Sequence, residues 1–313
     1  MADPRQTVTP ESSLPAAAAN ADPWRANLNE ATRSGNRATV DRRGPVTPAT
    51  LAIPISDLPP AEKMKRLLGP FFRLFNRAMA PLGYRLTNTA PKNSDPTLPG
   101  MLLRVRGRGY KFRTVIDVGA SNSSWSREVT KFLPDVRNFI LVEAQPVHRP
   151  GLDAFAAEFP ATRIVQAAAG DRCGEIFFEA SDPWGGLAAE QPGTNGGKWV
   201  KCPVTTLDAE VAASGFVGPY LIKLDTHGYE RAILAGAAAT LRQAELIVVE
   251  CYNFDVAGTA LRIPEFCQYM AGLGFRPIDC FDVGYRAWDQ AYWQCDMVFA
   301  RSDAPAFATN RCR

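Results

Sequence analysis

The sequence predicts an α/β protein whose mostly parallel sheet is covered by helices on both faces. From residue 112 onwards, short apolar runs alternate with helical stretches, the pattern of strand–helix–strand units. The last two predicted strands have no helix between them, so they should pair antiparallel at one edge. The 313 residues are 46% hydrophobic without an apolar run of about 18 residues, which excludes a polytopic membrane protein.

The main sheet is predicted to have seven strands. Each is a short apolar run, and together they cover residues 114–118, 139–143, 163–167, 220–225, 246–251, 275–281 and 293–300. Helices are expected at 126–132, 149–158, 229–241 and 262–272. Two further runs, 175–180 and 198–204, predict a small inserted antiparallel β pair.

The chain before this domain predicts two different segments. Residues 1–60 contain nine Pro and eleven Ala with Trp24 as the single aromatic residue, which is too little apolar surface to offset the entropy of ordering, so we expect disorder. Residues 61–89 carry Met, Leu and Phe at helical spacing among basic residues, which predicts a basic amphipathic helical neck. The domain itself is expected over 90–313.

Charge is segregated along the chain, although the formal net charge is only +3. Residues 61–113 hold twelve basic and two acidic residues, whereas residues 114–313 carry a net −7. The segment 61–86 would suit peripheral contact with an anionic membrane, and packing of the same helices on their own domain is the alternative. The first residues lack the features of a signal peptide, which predicts a cytoplasmic location, either free or at the inner membrane face.

Five predicted strand ends carry a carboxylate at or just past the end, in the order Asp117, Glu143, Asp171, Asp225 and Glu250. In open α/β sheets, ligands bind outside the carboxyl ends of the strands. Several acids along one edge suit a ligand that has hydroxyl groups and a positive charge.

The turn after the first strand distinguishes between cofactors. It reads Asp117-Val-Gly119-Ala120-Ser121, without the G-x-G-x-x-G of a dinucleotide site and without a P-loop. A carboxylate before one close-approach glycine tolerates the cationic end of S-adenosylmethionine better than a pyrophosphate. Glu143 is placed to accept hydrogen bonds from ribose hydroxyls, although an acid at this point also occurs in dinucleotide sites.

Six pieces of sequence together resemble the FkbM-type methyltransferases. They are Val115–Ser121, Val142–Pro146, Ala168–Asp171, Thr206–Asp208, Ile222–Glu230 and Leu234–Ala237. The resemblance covers roughly 110–300. It implies a class I, Rossmann-like S-adenosylmethionine-dependent fold and O-methylation of a sugar, glycolipid or polyketide-like hydroxyl.

The resemblance also proposes cofactor-binding residues, which are Asp117, Gly119, Ala120, Ser121, Glu143, Ala168, Asp171 and Lys223. The family usually has a second glycine where this chain has Ser123. A side chain at this position would either crowd the methionine part of the cofactor or donate a hydrogen bond to it from its hydroxyl.

Asp225 and His227 are the predicted catalytic residues, because they follow the fourth main strand where the methyl acceptor should lie. Imidazole suits a general base near neutral pH, and a structural histidine that caps the next helix is the alternative. Asp225 would orient the acceptor hydroxyl or act as the base. A magnesium ion shared by Asp225 and Glu250 stays open but is not favoured, since no dedicated ligand cluster is evident. His148 is expected on a helix surface.

The predicted function is O-methylation of a small molecule, glycan or glycolipid. The glycine-rich stretches 182–186 and 191–197 would form a lid, and Trp184, Tyr252 and Trp288 would stack on a sugar ring. A non-catalytic cofactor-binding protein or a membrane-docked scaffold is the alternative. Nucleic-acid methylation is not favoured, because the body is acidic and lacks an Asn/Asp-Pro-Pro-aromatic tetrad.

Overall fold

The computed structural model describes residues 74–78, 80, 90–194, 196–258 and 260–311. The segment predicted to be disordered, 1–60, and most of the predicted neck therefore lie outside the described residues, as does most of 61–86. Of the neck, residues 74–78 are helical. Within the described part of the chain, every helix is too short or too polar to cross a membrane.

The described chain contains eleven strands that form two sheets. In chain order they are β1 (Thr114–Val118), β2 (Asn138–Val142), β3 (Thr162–Val165), β4 (Ala168–Ala169), β5 (Gly174–Glu179), β6 (Leu187–Ala189), β7 (Trp199–Thr205), β8 (Tyr220–Leu224), β9 (Ala244–Tyr252), β10 (Phe275–Tyr285) and β11 (Tyr292–Arg301).

The main sheet has seven strands in the order β10-β11-β9-β8-β1-β2-β3. The five strands from β9 to β3 pair in parallel, whereas β11 runs antiparallel to both β9 and β10. The predicted parallel sheet with an antiparallel pair at one edge is thus confirmed. Strand β1 lies at the centre, flanked by β2 and β8, so the ends of these strands meet at one edge.

Apolar side chains cover both faces of the main sheet. In β1, Val115 and Ile116 are each fully buried, and they belong to different hydrophobic clusters. The same division separates Leu221 from Ile222 in β8. Since successive side chains of a strand point to opposite faces, both faces are covered.

The predicted inserted pair is part of a larger sheet. Strands β5 and β7 pair antiparallel as expected, but β4 adds parallel to β7 and β6 adds antiparallel to β5. The second sheet therefore has four strands in the order β4-β7-β5-β6. The two added strands are Ala-rich and only two and three residues long, and alanine gives little strand signal.

Seven helices accompany the sheets in the part of the described chain that begins at residue 90. They are α1 (Leu98–Gly107), α2 (Ser124–Phe132), α3 (Arg149–Glu158), α4 (Leu207–Ser214), α5 (Glu230–Ala235), α6 (Ala238–Leu241) and α7 (Ile263–Gly272), with 3-10 turns at Pro146–His148 and Pro305–Phe307. The sequence patterns missed α1 and α4. They also predicted one helix where α5 and α6 lie.

The chain passes close to the end of β4 at the residue between α5 and α6, Gly236. A Cβ added to Gly236 would lie 2.1 Å from the carbonyl oxygen of Gly170, so the chain passes this point only with glycine. Gly236 O also accepts a hydrogen bond from Asp208 N at 3.1 Å. The close approach joins the end of α5 to the end of β4.

Two of the basic residues that precede the main sheet, on and just after helix α1, form ion pairs with the sheet. Arg104 makes a two-pronged contact with Asp279 on β10, with Nε–Oδ2 and Nη2–Oδ1 distances of 2.7 and 3.0 Å. Arg108 reaches the same carboxylate at 3.0 Å. These two arginines therefore stabilise the packing of α1 on the sheet.

Candidate active site

A cleft of about 1140 Å³ opens at the carboxyl ends of β1, β2, β8 and β9. It is lined at one end by Gly119, Ala120 and Ser121 after β1, and at the other by residues from β9, β10 and β11. This is the edge at which the parallel strands of an open sheet present a ligand site. The second sheet contributes to one wall through Phe178 and Ala188.

The turn after β1 is held in a conformation that favours glycine. Gly119 has φ +73°, and an added Cβ would lie 2.1 Å from the carbonyl oxygen of Asp225. Ser121 and Ser123 follow with φ of 47° and 67°. The strained turn aims the Ser121 N–H at the carboxylate of Glu143, 2.7 Å away.

Ser123 does not contact the cleft, contrary to the sequence expectation. It is fully buried, and its hydroxyl donates to the carbonyl oxygen of Asn122 at 2.5 Å, with the carbonyl oxygen of Gly151 at 3.4 Å. The left-handed φ of Ser123 explains why glycine suits this position. The Ser123 hydroxyl is therefore not available to a ligand in the cleft.

Glu143, just past the end of β2, is fixed by two backbone N–H groups. Ser121 N donates to Oε2 and Gln145 N donates to Oε1, both at 2.7 Å. Burial raises the pKa of Glu143, while these two hydrogen bonds oppose the rise. Each oxygen keeps a second lone pair for a ligand hydroxyl.

The loop 182–186 is tied to the cleft beside Glu143. Gln145 Nε2 donates to the carbonyl oxygens of Asp182 and Pro183 at 2.9 and 3.0 Å. His148 Nε2 lies 2.6 Å from the carbonyl oxygen of Pro183, and its ring packs on Trp184. The predicted surface position of His148 is wrong: it is 6% exposed and lines the cleft, because this loop covers it.

A largely buried ion cluster lies in the wall of the cleft. Lys223 Nζ is 2.9 Å from Asp225 Oδ2 and 3.6 Å from Asp117 Oδ1. Burial alone would lower the pKa of Lys223, but the two carboxylates raise it above its usual value. Burial would likewise raise the pKa of Asp225, yet the Lys223 ammonium and His227 lower it to about 2. Lys223 and Asp225 therefore stay charged.

Asp225, His227 and Glu250 form what we call the strand-end cluster. One ligand atom from each lies within 4.8 Å of those of the other two. His227 Nε2 is 3.5 Å from Asp225 Oδ1 and 3.4 Å from Glu250 Oε2. His227 has φ +53° and is followed by Gly228 at φ +109°, so a sharp turn after β8 directs the imidazole toward β9.

Glu250 is held firmly on β9. Tyr252 Oη donates to its Oε2, and Gln294 Nε2 donates to its Oε1 at 2.6 Å. Burial, followed by the nearby carboxylate of Asp225, raises the pKa of Glu250 well above its usual value. Burial and the charge of Glu250 also raise the pKa of Asp296, which lines the cleft beside it.

Most predicted site residues meet in this cleft. Eight of them line it: Gly119, Ala120, Ser121, Glu143, Ala168, Lys223, Asp225 and His227. Asp117 lies behind the wall, where it accepts a hydrogen bond from Ser126 Oγ at 2.6 Å. Asp171 is exposed and pairs with Arg172.

The sequence prediction did not assign Gln145, His148, Gln294 and Asp296 to the site. Gln145 and His148 carry a weak signal, since they follow the strand-end acid Glu143. Gln294 and Asp296 carry none, because they face the cleft only through the pairing of β11 with β9.

The sequence comparison identifies the class of protein. Residues 117–277 match the family model described as the methyltransferase FkbM domain. The match spans more than half of the chain, so the chain belongs to the FkbM methyltransferase family. The seven-stranded sheet described above is accordingly a class I methyltransferase sheet. No curated protein matches the chain in sequence.

Solved structures with a similar fold include several methyltransferases. The methyltransferase FkbM from Methylobacillus flagellatus is 12% identical with a TM-score of 0.43, and the match covers 65% of this chain and 48% of that one. This chain thus matches about half the length of that protein. An O-methyltransferase family protein from Burkholderia thailandensis is 11% identical with a TM-score of 0.36, over 76% and 60% of the two chains. The precorrin-6y C5,15-methyltransferase from Geobacter metallireducens is 14% identical with a TM-score of 0.34, over 65% and 85%.

Proposed function

We propose that the protein is an S-adenosylmethionine-dependent O-methyltransferase that acts on an uncharged, hydroxyl-rich acceptor, such as a sugar, glycolipid or polyketide-like product. The observation that carries the proposal is that a single cleft contains both a candidate cofactor site and a candidate site for the acceptor hydroxyl. Glu143 and the turn after β1 line the part that would hold the cofactor, which we call the cofactor end, and the strand-end cluster lines the cleft next to Gly119.

The cofactor end suits the nucleoside of S-adenosylmethionine. Glu143 has a free lone pair on each oxygen for the two ribose hydroxyls, since the backbone N–H groups occupy only one each. The wall between β2 and β4 consists of the small residues Ala144, Ala167, Ala168 and Ala169, which leave room for a flat base. When bound, the cofactor supplies a methyl group already activated by its sulfonium.

The charge of the cleft favours a positively charged cofactor and disfavours an anionic acceptor. Among the described residues that line it, one lysine, Lys223, is accompanied by seven carboxylic side chains: Asp95, Glu128, Glu143, Asp225, Glu250, Asp282 and Asp296. Even if Glu250 and Asp296 are neutral because their pKa values are raised, the other five acids outnumber the lysine, and such a field attracts cations and repels phosphates. It therefore supports a neutral acceptor over a nucleic acid or a sugar phosphate.

The strand-end cluster is placed to handle the acceptor hydroxyl. A sugar or alkyl hydroxyl is a poor nucleophile, so removal of its proton contributes about 10²–10⁴-fold to the rate. The cluster orients the hydroxyl and draws off this proton, while Lys223 holds Asp225 in its charged form. The rest of the acceleration comes from alignment of the hydroxyl oxygen with the methyl carbon.

Methyl transfer from labelled S-adenosylmethionine to a panel of neutral polyols, glycosides and glycolipids tests the proposal. We expect at least one acceptor to be labelled, with the rate falling at least about 100-fold in Asp225→Ala and His227→Ala. Asp171→Ala is the matched control, because this strand-end acid lies outside the cleft, and its rate should equal that of the unmodified chain. Cofactor binding without turnover on any acceptor would contradict the proposal and favour the non-catalytic alternative.

A further inference from the structure

We propose that the strand-end cluster binds one divalent first-row transition-metal ion through Asp225, His227 and Glu250. The ion-binding site stands on geometry alone. Its chemical role, to bind the acceptor hydroxyl, rests on the proposed function. A metal was not favoured from the sequence, because Asp225 and His227 follow β8 whereas Glu250 lies on β9, 23 or more positions further along the chain.

The distances within the cluster fit an intervening ion better than direct hydrogen bonds. His227 Nε2 lies 3.4 and 3.5 Å from one oxygen of Glu250 and one of Asp225, whereas an N–H···O bond is usually about 2.9 Å long. Donor atoms about 2.1 Å from a tetrahedral ion stand about 3.4 Å from one another. Both distances therefore match two ligands that share one ion.

The orientation of the imidazole points the same way. His227 Nδ1 faces the carbonyl oxygen of Gly186 at 3.4 Å, which favours the tautomer that is protonated on Nδ1. Nε2 then presents a lone pair toward two carboxyl oxygens, an arrangement of three acceptor atoms that a bound cation would satisfy. Metal-binding histidines typically donate their other ring N–H to a backbone carbonyl in this manner.

A second layer of contacts fixes the ligands. The Glu250 carboxylate receives hydrogen bonds from Tyr252 Oη and Gln294 Nε2. The other amide atom, Gln294 Oε1, is buried without a hydrogen-bond partner, and His227 is 8% exposed. Outer contacts that orient ligating carboxylates are a regular feature of metal sites.

The donor set selects the kind of ion. Mg²⁺ prefers an all-oxygen octahedron with several waters, while an imidazole with two carboxylates suits Mn²⁺ or Zn²⁺. The cluster faces the cleft, so the acceptor hydroxyl oxygen can take a further coordination position.

The ion would change how the proton leaves. Coordination lowers the pKa of the hydroxyl, and its proton passes to solvent water instead of directly to His227. The resulting alkoxide oxygen forms a bond to the methyl carbon as the carbon–sulfur bond breaks. S-adenosylhomocysteine is released and the ion stays bound.

The experiment is a titration of the full chain, stripped of metal by chelation, with Mn²⁺. Free Mn²⁺ is followed by its paramagnetic resonance signal, and Zn²⁺ is added as a competitor. We expect one Mn²⁺ per chain, displaced by Zn²⁺, with affinity lowered at least tenfold in Glu250→Gln and His227→Asn. Asn tolerates the left-handed backbone of position 227, and Asp171→Asn should bind like the unmodified chain.

Absence of stoichiometric Mn²⁺ and Zn²⁺ binding would overturn the proposal, as would unchanged affinity in both folded variants. Circular dichroism and thermal unfolding check that the variants fold. A parallel titration of the metal-free chain with S-adenosylmethionine separates the two proposals. Cofactor binding without metal binding would reject only the metal-site proposal. Metal binding without cofactor binding would contradict the proposed function.

Discussion

At the scale of single residues, Asp117 is a fully buried carboxyl group that has two polar neighbours. Burial raises its pKa, while Lys223 and the hydroxyl of Ser126 oppose the rise. One oxygen accepts the Ser126 hydrogen bond at 2.6 Å, and the other lies 3.6 Å from Lys223 Nζ. Asp117 thus orients Lys223 from behind the cleft wall, and Lys223 in turn orients Asp225.

Replacement of Ser126 by alanine should therefore destabilise the fold. Leaving a buried polar group without its hydrogen-bond partner costs about 1–3 kcal/mol, and we expect the free energy of unfolding in urea to fall by that amount. Ser124→Ala is the matched control, since Ser124 is exposed in the same helical turn, and its effect should stay within about 0.5 kcal/mol. Equal effects of the two variants would contradict this role of Ser126.

At the scale of elements, Asp208 on α4 caps the first turn of α6. Its carboxylate accepts hydrogen bonds from Ala239 N at 2.9 Å and from Thr240 N and Oγ1 at 2.7 Å each. Burial alone would raise the pKa of Asp208, but these hydrogen bonds lower it. A carboxylate with a lowered folded-state pKa stabilises the fold above its unfolded-state pKa, and this contribution is lost as the pH falls through the folded-state value.

Asp208→Ala should accordingly lower the free energy of unfolding by about 0.5–2 kcal/mol at pH 7. The difference from the unmodified chain should shrink as the pH falls below about 4, where the unfolded chain begins to bind the proton. Urea unfolding at a series of pH values measures this. Asp135→Ala, which removes an exposed ion pair with Lys111, should have a small effect at every pH; a pH-independent loss in Asp208→Ala would contradict the capping role.

The contact between α5 and β4 gives a second test at this scale. Gly236→Ala places a Cβ against the carbonyl oxygen of Gly170, so we expect a loss of about 1–3 kcal/mol or more from overpacking. Gly272→Ala is the control, because nothing lies within 4 Å of the added Cβ at this helix end. It should be neutral or stabilise by up to about 1 kcal/mol. Thermal unfolding of both variants measures the two effects. Unchanged stability of Gly236→Ala would contradict the prediction, because it would show that the backbones at Gly236 and Gly170 can move apart.

For the molecule as a whole, the sequence predicts the parts that depend on local patterns. The strand–helix alternation and the strand-end acids place the main sheet and the cleft edge, and α3 begins and ends where expected. Carboxyl groups that follow the parallel strands of one sheet lie along the same edge, which is why Glu143 and Asp225 could be assigned to a common cleft.

The remaining features depend on contacts between distant segments. Strands β4 and β6 form only by addition to β7 and β5. His148 is buried because the loop 182–186 closes over it. The distance between His227 and Glu250 follows from the left-handed turn after β8, and neither residue's neighbours in sequence indicate it. Asp171 looks like the other strand-end acids in sequence, yet its side chain turns to Arg172.

The central claim, that this cleft binds S-adenosylmethionine through Glu143, is tested most directly by calorimetric titration. S-adenosylmethionine and S-adenosylhomocysteine are titrated into the full chain, into Glu143→Ala and into Asp171→Ala. We predict micromolar binding to the unmodified chain and to Asp171→Ala, and binding at least about tenfold weaker to Glu143→Ala, since two charge-assisted hydrogen bonds are lost. Absence of binding to the folded chain, or equal binding to Glu143→Ala, would contradict the account.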